Sequence, residues 1–160
     1  MNGKIELKTE MIDMNIGKLN QKDALIHLSN LLVSQGMVKP GYDVKILERE
    51  SSYPTGLQFP DITVAIPHGD SSYALKTAMA IGRCNPQIGF HSMEDIDSVI
   101  PVDLIVMLSV VNPDEHVMIL NKLMEIFADG STCKKIMSAD SAEELNRIFN
   151  EKLYDSKEEE

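Results

Sequence analysis

The run Val64-Ala65-Ile66-Pro67 constrains the fold of this chain more than any other stretch. Three consecutive apolar residues, β-branched at both ends, offer water no polar face and suit a strand covered on both sides in the middle of an α/β sheet. Pro67 has no N–H to donate to a ladder, so strand pairing is expected to end there. His68 then falls just past the carboxyl end of the strand, the place where open α/β sheets put their ligand chemistry. Gly69 is expected to let the backbone turn sharply and to leave the imidazole uncrowded. A lone histidine in such a place is an ordinary turn residue, so the rest of the chain has to decide whether it works.

Helical spacing of Leu25, Leu28 and Leu32 marks a helix over Lys22–Gln35, closed by Gly36, and leaves His27 off the apolar stripe as a solvent-facing bystander. A second helix is expected over Tyr42–Glu50, broken by the loop residues Ser51-Ser52-Tyr53-Pro54-Thr55-Gly56 ahead of the Thr63–Ile66 strand. Thr77–Gly82 reads as a further strand. Ile88–Met93 is a weaker one, carrying His91 at an edge or loop position with no assigned role. Val102–Val111 is the strongest strand in the chain. Helices follow over Pro113–Phe127, around Cys133–Met137 and over Ala142–Leu153. Strands alternating with helices imply an α/β layer architecture. The pattern is expected to form a single domain over residues 1–154, with the charged residues 155–160 as a solvated tail.

Asn112-Pro113-Asp114-Glu115-His116 is a dense helix-start signal. Asn112 is a good N-cap, Pro113 suits the first helical position, and Glu115 stands three residues after the cap as in a capping box. His116 therefore falls in the first turn of a helix that follows the strand ending at Val111, again at the carboxyl edge of the sheet. It shares a face with Leu120, Leu123 and Phe127 and forms the polar leading end of that core-facing stripe. The free amides and dipole of the helix N-terminus favour an anion nearby. Two histidines at one sheet edge, beside such a helix start, make a plausible place to hold negative charge next to a nucleophilic ring.

Composition removes several function classes. The formal charge of −10 argues against nucleic acid as the main partner and against anionic membrane surfaces. With 160 residues, 43% of them hydrophobic, the chain can build its core without staples. Cys84 and Cys133 are far apart, in no metal-like or redox-like spacing, and read as reduced thiols. No secretion signal or apolar run approaching ~18 residues is visible, so the expectation is a cytoplasmic protein without direct membrane insertion.

Taken together, Arg49-Glu50, Pro54-Thr55-Gly56-Leu57, Val64-Ala65-Ile66-Pro67-His68-Gly69 and Glu115-His116 resemble the enzyme IIA domain of the bacterial phosphoenolpyruvate-dependent sugar phosphotransferase system. The likeness is to the fructose–mannitol type, nearest in its Pro-Thr-Gly-Leu segment to the galactitol-specific branch, and it runs from about Ile5 to Leu153. One departure is Phe59-Pro60-Asp61, where the family usually has a small residue shortly before the strand. The resemblance implies a mixed, mostly parallel five-stranded sheet with helices on both faces. It implies that His68 is the phosphorylated nucleophile, that His116 flanks it and contacts the phosphoryl group, and that Arg49 stabilises the charge. It also implies a relay from the phosphocarrier HPr to a cysteine on a IIB partner, and through IIB to a membrane IIC component, with no cofactor or metal. Neither Cys84 nor Cys133 would be that cysteine. The implied sugar is galactitol or a related hexitol.

These residue types suit the task. An unprotonated imidazole is a competent nucleophile near neutral pH. Phosphoryl transfer needs alignment and stabilisation of charge on the equatorial oxygens. Arg49 offers a permanent planar fork of donors to those oxygens, and Thr55 is a candidate hydroxyl donor. The nitrogen of His68 that does not attack needs an acceptor to hold its tautomer, and the sequence does not name one. Two other readings stay open: a regulatory phosphosensor with the same site, and a metal hydrolase using His68, Asp70 and His116.

Overall fold

Side chains of the central strands alternate between two apolar faces, and each face is covered by its own set of helices. The computed structural model describes residues 5–154, so the charged segment 155–160 lies outside the described residues. In chain order the elements are β1 (Ile12–Asp13), α1 (Gln21–Ser34), α2 (Tyr42–Ser52), β2 (Gly56–Gln58), β3 (Thr63–Ala65), β4 (Ala78–His91), β5 (Val99–Ser109), α3 (His116–Ala128), α4 (Gly130–Ser138) and α5 (Ala142–Leu153). The strands form one sheet in the order β1-β4-β5-β3-β2. The β1–β4 and β3–β5 pairings are parallel, and the β4–β5 and β2–β3 pairings are antiparallel. The sheet is mixed and five-stranded with helices on both faces, as expected.

Residues Val64, Met79, Ile81, Leu104 and Val106 point to the face covered by α3, α4 and α5, where Leu123, Phe127, Ile136 and Phe149 close the core. Their neighbours in sequence, Ala65, Ala78, Ala80, Ile105 and Met107, point to the opposite face under α1 and α2. That second face is alanine-rich, which lets the helices approach closely. Each of the fully buried side chains Leu25, Leu28, Leu32 and Ile46 contributes about 1.5–3 kcal/mol by leaving water. At Gly82 the strand also lies close against Ile16, so that a Cβ there would overlap its side chain.

Several elements depart from the sequence reading. Thr77–Gly82 and Ile88–Met93 are parts of one long strand, β4, whose register against β5 shifts between Arg83 and Ile88. Pro86 falls within that shift, and its missing N–H explains the local loss of ladder pairing. β1 and β2 are two and three residues long, too short to leave an alternation in sequence, and β2 falls where only a loop is expected at its start. His27 is no bystander: it is half-buried, and its Nε2 lies 2.8 Å from Asp13 Oδ2, tying α1 to β1. Among the described residues no helix is long and apolar enough to cross a membrane.

Candidate active site

Parallel pairing of β3 with β5, Val64 beside Leu104 and Ala65 beside Ile105, brings their carboxyl ends to the same rim. The pairing continues past Pro67: Leu108 N donates to Pro67 O at 2.9 Å, and His68 bridges Leu108. The proline therefore ends the regular strand but keeps its carbonyl in the ladder. One residue further on, His68 leaves the sheet edge half-buried.

β5 ends at Ser109, and the chain enters α3 through a single 3₁₀ turn, Pro113–Glu115. Asn112 caps that turn by accepting from Asp114 N at 3.0 Å, and Glu115 N donates to Asn112 O. Two of the first amides are thus bonded within the cap itself and are not turned to an anion. His116 is the first residue of α3 and so falls in its first turn as expected, while Pro113–Glu115, read as the helix start, form the 3₁₀ turn. It leads the stripe Ile119, Leu123, Ile126 and Phe127, all buried. The imidazoles of His68 and His116 meet edge to face, with centroids 4.4 Å apart and planes at 82°.

Ile66 O, 3.1 Å from His68 Nδ1, is the acceptor that the sequence does not name. A carbonyl oxygen only accepts, so Nδ1 carries the proton and Nε2 keeps its lone pair. Burial pushes the His68 pKa down to about 4, countered by the Ile66 carbonyl and reinforced by His116 and the Arg49 charge. His116 is also lowered, by burial and then by Arg49. Both rings are neutral at pH 7. His116 Nε2 is shielded from solvent and has no hydrogen-bond partner among the described residues. A buried polar nitrogen in that condition is costly unless a ligand atom satisfies it, so it fits an incoming oxygen.

Both rings line a cavity of about 460 Å³ together with Lys45, Arg49, Tyr53 and Asp70. Arg49 lies in the last turn of α2 and is exposed, its guanidinium carbon 5.4 Å from the centre of the Tyr53 ring. The fold brings together all three residues singled out for the site. Asp70 is exposed, and its Oδ1 accepts from Ser72 N at 2.9 Å. Among the described residues no group of three or more His, Cys, Asp or Glu side chains is placed to hold a metal ion.

One expectation is corrected. Thr55 is not at the cavity: it is buried, its hydroxyl donates to Glu50 Oε1 at 3.0 Å, and the Thr55 hydroxyl oxygen accepts from Ile66 N at 3.1 Å. Gly69 lies outside the positive-φ region. It is needed because a Cβ there would sit 2.9 Å from Tyr42 Cε1. Tyr42 and Glu50 enter the sequence reading only as helix and motif residues, although both share a helical stripe with Ile46 at spacings of four and eight. A carboxylate on a core-facing stripe was the available signal.

The family model described as phosphoenolpyruvate-dependent sugar phosphotransferase system, EIIA 2, matches residues 6–152. The galactitol-specific EIIA component of Escherichia coli K12 is 24% identical over 143 residues, 89% of this chain and 94% of that protein. A mannitol-specific enzyme IIA component from Halalkalibacterium halodurans is 26% identical over 149 residues, covering 91% of this chain and 94% of its own. Among solved structures, the E. coli mannitol enzyme IIA in complex with phosphorylated enzyme IIB superposes with a TM-score of 0.76 at 23% identity, covering 92% of this chain and 99% of that one. The nitrogen regulatory protein IIA-Ntr of Neisseria meningitidis gives a TM-score of 0.70 at 26% identity, covering 88% and 94%. The chain belongs to the phosphoenolpyruvate-dependent sugar phosphotransferase system EIIA 2 family and is a phosphotransferase that works through a phosphohistidine.

Proposed function

We propose that this enzyme IIA takes a phosphoryl group from HPr onto Nε2 of His68 and passes it to a cysteine of a IIB partner, serving uptake of galactitol or a related hexitol through IIC. The observation that carries the reading is the His68 ring itself: Nδ1 is committed to Ile66 O, and His68 leans edge-on against a second neutral imidazole in a cavity shared with a guanidinium. In the transfer, the Nε2 lone pair forms the N–P bond while the P–N bond to the donor histidine breaks. In the second half the P–N bond on His68 breaks as the IIB thiolate forms an S–P bond. Arg49 supplies a permanent charge to the equatorial oxygens, and His116 Nε2 meets one of them. The galactitol leaning rests on the E. coli relative and on the Pro54-Thr55-Gly56-Leu57 segment. On this reading the transfer takes place in the cytoplasm.

The exposed apolar residues Tyr53, Val111 and Val117 support docking of both partners on the face around the cavity, since Tyr53 lines it and Val111 and Val117 flank Pro113 and His116. Charge favours this over electrostatic steering, because the chain is already acidic and a phosphoryl group adds to that. Footprints of HPr and IIB mapped by chemical shift should overlap; footprints on opposite sides of the domain would refute shared docking.

Labelling from phosphoenolpyruvate with enzyme I and HPr tests the main reading. Uptake is expected on His68, lost in His68→Ala, and the bond should be acid-labile and base-stable as a phosphoramidate. Label retained by the variant would move the nucleophile elsewhere. The likeness to nitrogen regulatory IIA-Ntr favours one other reading, a phosphosensor with the same site and no transport role. Rapid transfer onward to the cysteine of a hexitol-type IIB separates the two.

A further inference from the structure

We infer that Tyr42 and the Glu50–Thr55 pair are positioning residues that clamp the backbone on either side of His68 and thereby hold its ring in the attacking tautomer; this deepens the phosphotransfer reading and rests on it. The clamp on the amino side starts at Glu50, buried at the end of α2. Its Oε2 accepts from Thr55 N at 2.8 Å, and its Oε1 lies 3.0 Å from the Thr55 hydroxyl. With the carboxylate accepting, the hydroxyl donates to Glu50 and turns a lone pair to Ile66 N–H at 3.1 Å. The carbonyl of that same residue, Ile66, accepts from His68 Nδ1. A shift of Ile66 therefore moves the acceptor that fixes which ring nitrogen carries the proton.

The clamp on the carboxyl side is Tyr42, at the start of the same stripe of α2. Its hydroxyl donates to Leu108 O at 2.5 Å and accepts from Gly69 N at 3.0 Å. Leu108 is the β5 residue whose own N–H holds Pro67 O. Tyr42 thus ties the residue after His68 to the strand that holds the residue before it. The ring also packs on Gly69 so closely that no side chain fits there. Both hydroxyls are buried, and both are satisfied as donor and as acceptor, so removing either leaves a backbone N–H without a partner. Neither touches the cavity; both act through the His68 backbone. Since α2 also carries Arg49, one helix sets the spacing between the guanidinium and the ring it serves.

The Glu50 carboxyl faces several ionisable groups. Arg49 and His91 act on its charge, and Lys22 on α1 lines the shallow cleft beside it. The experiment therefore rests on neutral substitutions at the two hydroxyls, read at one pH.

Tyr42→Phe, Thr55→Val and Thr55→Ser are compared with wild type by two measurements. The first is the ¹⁵N shifts of the His68 ring in the unphosphorylated protein at pH 7, which report the tautomer without any partner. The second is kcat and KM for phosphorylation by phospho-HPr. Wild type is expected to show a protonated Nδ1 and a bare Nε2. Tyr42→Phe and Thr55→Val are expected to move both nitrogens toward a mixture of tautomers and to lower kcat roughly ten- to a hundredfold with KM unchanged. Thr55→Ser, which keeps the hydroxyl, is expected to restore both. Ring shifts and kcat unchanged in the Phe and Val variants would overturn the inference, as would a Ser variant that behaves like Val. If either of those variants fails to fold, the Ser variant and Glu50→Gln, which keeps an oxygen acceptor for Thr55, still decide it by the same ring shifts. A locked tautomer lost in the clamp variants, found together with label on a residue other than His68, would sink the phosphotransfer assignment and leave the clamp standing.

Discussion

His68 and His116 stand edge to face, 4.4 Å between ring centroids, one leaving the end of a strand and the other opening a helix. Two imidazolium cations at that separation would repel strongly, so the two rings do not carry positive charge together. A phosphoryl group on His68 reverses the balance. Its negative oxygens supply the partner that His116 Nε2 lacks and favour a proton on that ring.

His116→Gln is therefore expected to slow phosphorylation of His68 without abolishing it. Loss of one hydrogen bond to a charged group corresponds to roughly a ten- to hundredfold drop in rate. Single-turnover labelling from phospho-HPr measures it. A variant as fast as wild type would remove His116 from the reaction.

Arg49 is exposed and lines the cavity beside both rings, so its contribution is geometric as well as electrostatic. Arg49→Ala should cost about tenfold or more in kcat. Arg49→Lys should recover only part of the loss, because an ammonium cannot reach two oxygens in a plane. Full recovery by lysine would show that only net charge matters.

Acid titration separates the two buried groups of the site by sign. His68 has a pKa near 4 when folded against an ordinary 6.5, so between those values the unfolded chain binds the extra proton. Its stabilising effect is present above pH 6.5 and is lost as pH falls toward 4, worth up to about 3 kcal/mol. Glu50 runs the other way. Burial raises it to about 7 from 4.5, opposed by its bonds from Thr55, so its effect is present below pH 4.5 and is lost as pH rises through 7. In urea melts the wild type should vary little across this window. His68→Gln should grow more stable on acidification from pH 7 to 4.5, and Glu50→Gln less stable. Parallel curves for all three proteins would contradict both assignments. The rate of phosphorylation should also hold down to about pH 4 on the His68 side, with no fall at 6.5.

Arg83 provides a control remote from the cavity. Its Nη1 donates to Ile136 O, Met137 O and Ala139 O at 3.2, 3.2 and 2.8 Å, a cation closing the carboxyl end of α4. Arg83→Met should lower stability by about 1–3 kcal/mol, with three carbonyls losing a charged donor. Phosphotransfer below the melting transition should be unchanged. A matching loss of transfer would mean that α4 communicates with the site.

Much of this was legible along the chain because it is local. The stop at Pro67, the Asn112 cap and the leucine stripe of α1 each depend on a few neighbouring residues whose φ, hydrogen-bonding capacity or periodicity is intrinsic. The two histidines and Arg49 could be picked out on that basis, together with the likeness carried by the motifs around them. What lies between these pieces could not be. That β3 pairs with β5, so that residues 48 apart share an edge, is settled by which strands bury each other's faces, and no local pattern encodes it. β1 and β2 exist only because β4 and β3 offer them partners. The choice of Ile66 O for Nδ1, of Thr55 for Ile66 N–H and of Tyr42 for Gly69 N–H was made by packing, which decides which buried polar groups come within reach of one another. The sequence by itself determined which residue types stand ready at the strand ends; only the tertiary structure decided the protonation, spacing and support of the ring, because those depend on burial and on contacts between segments far apart in the chain.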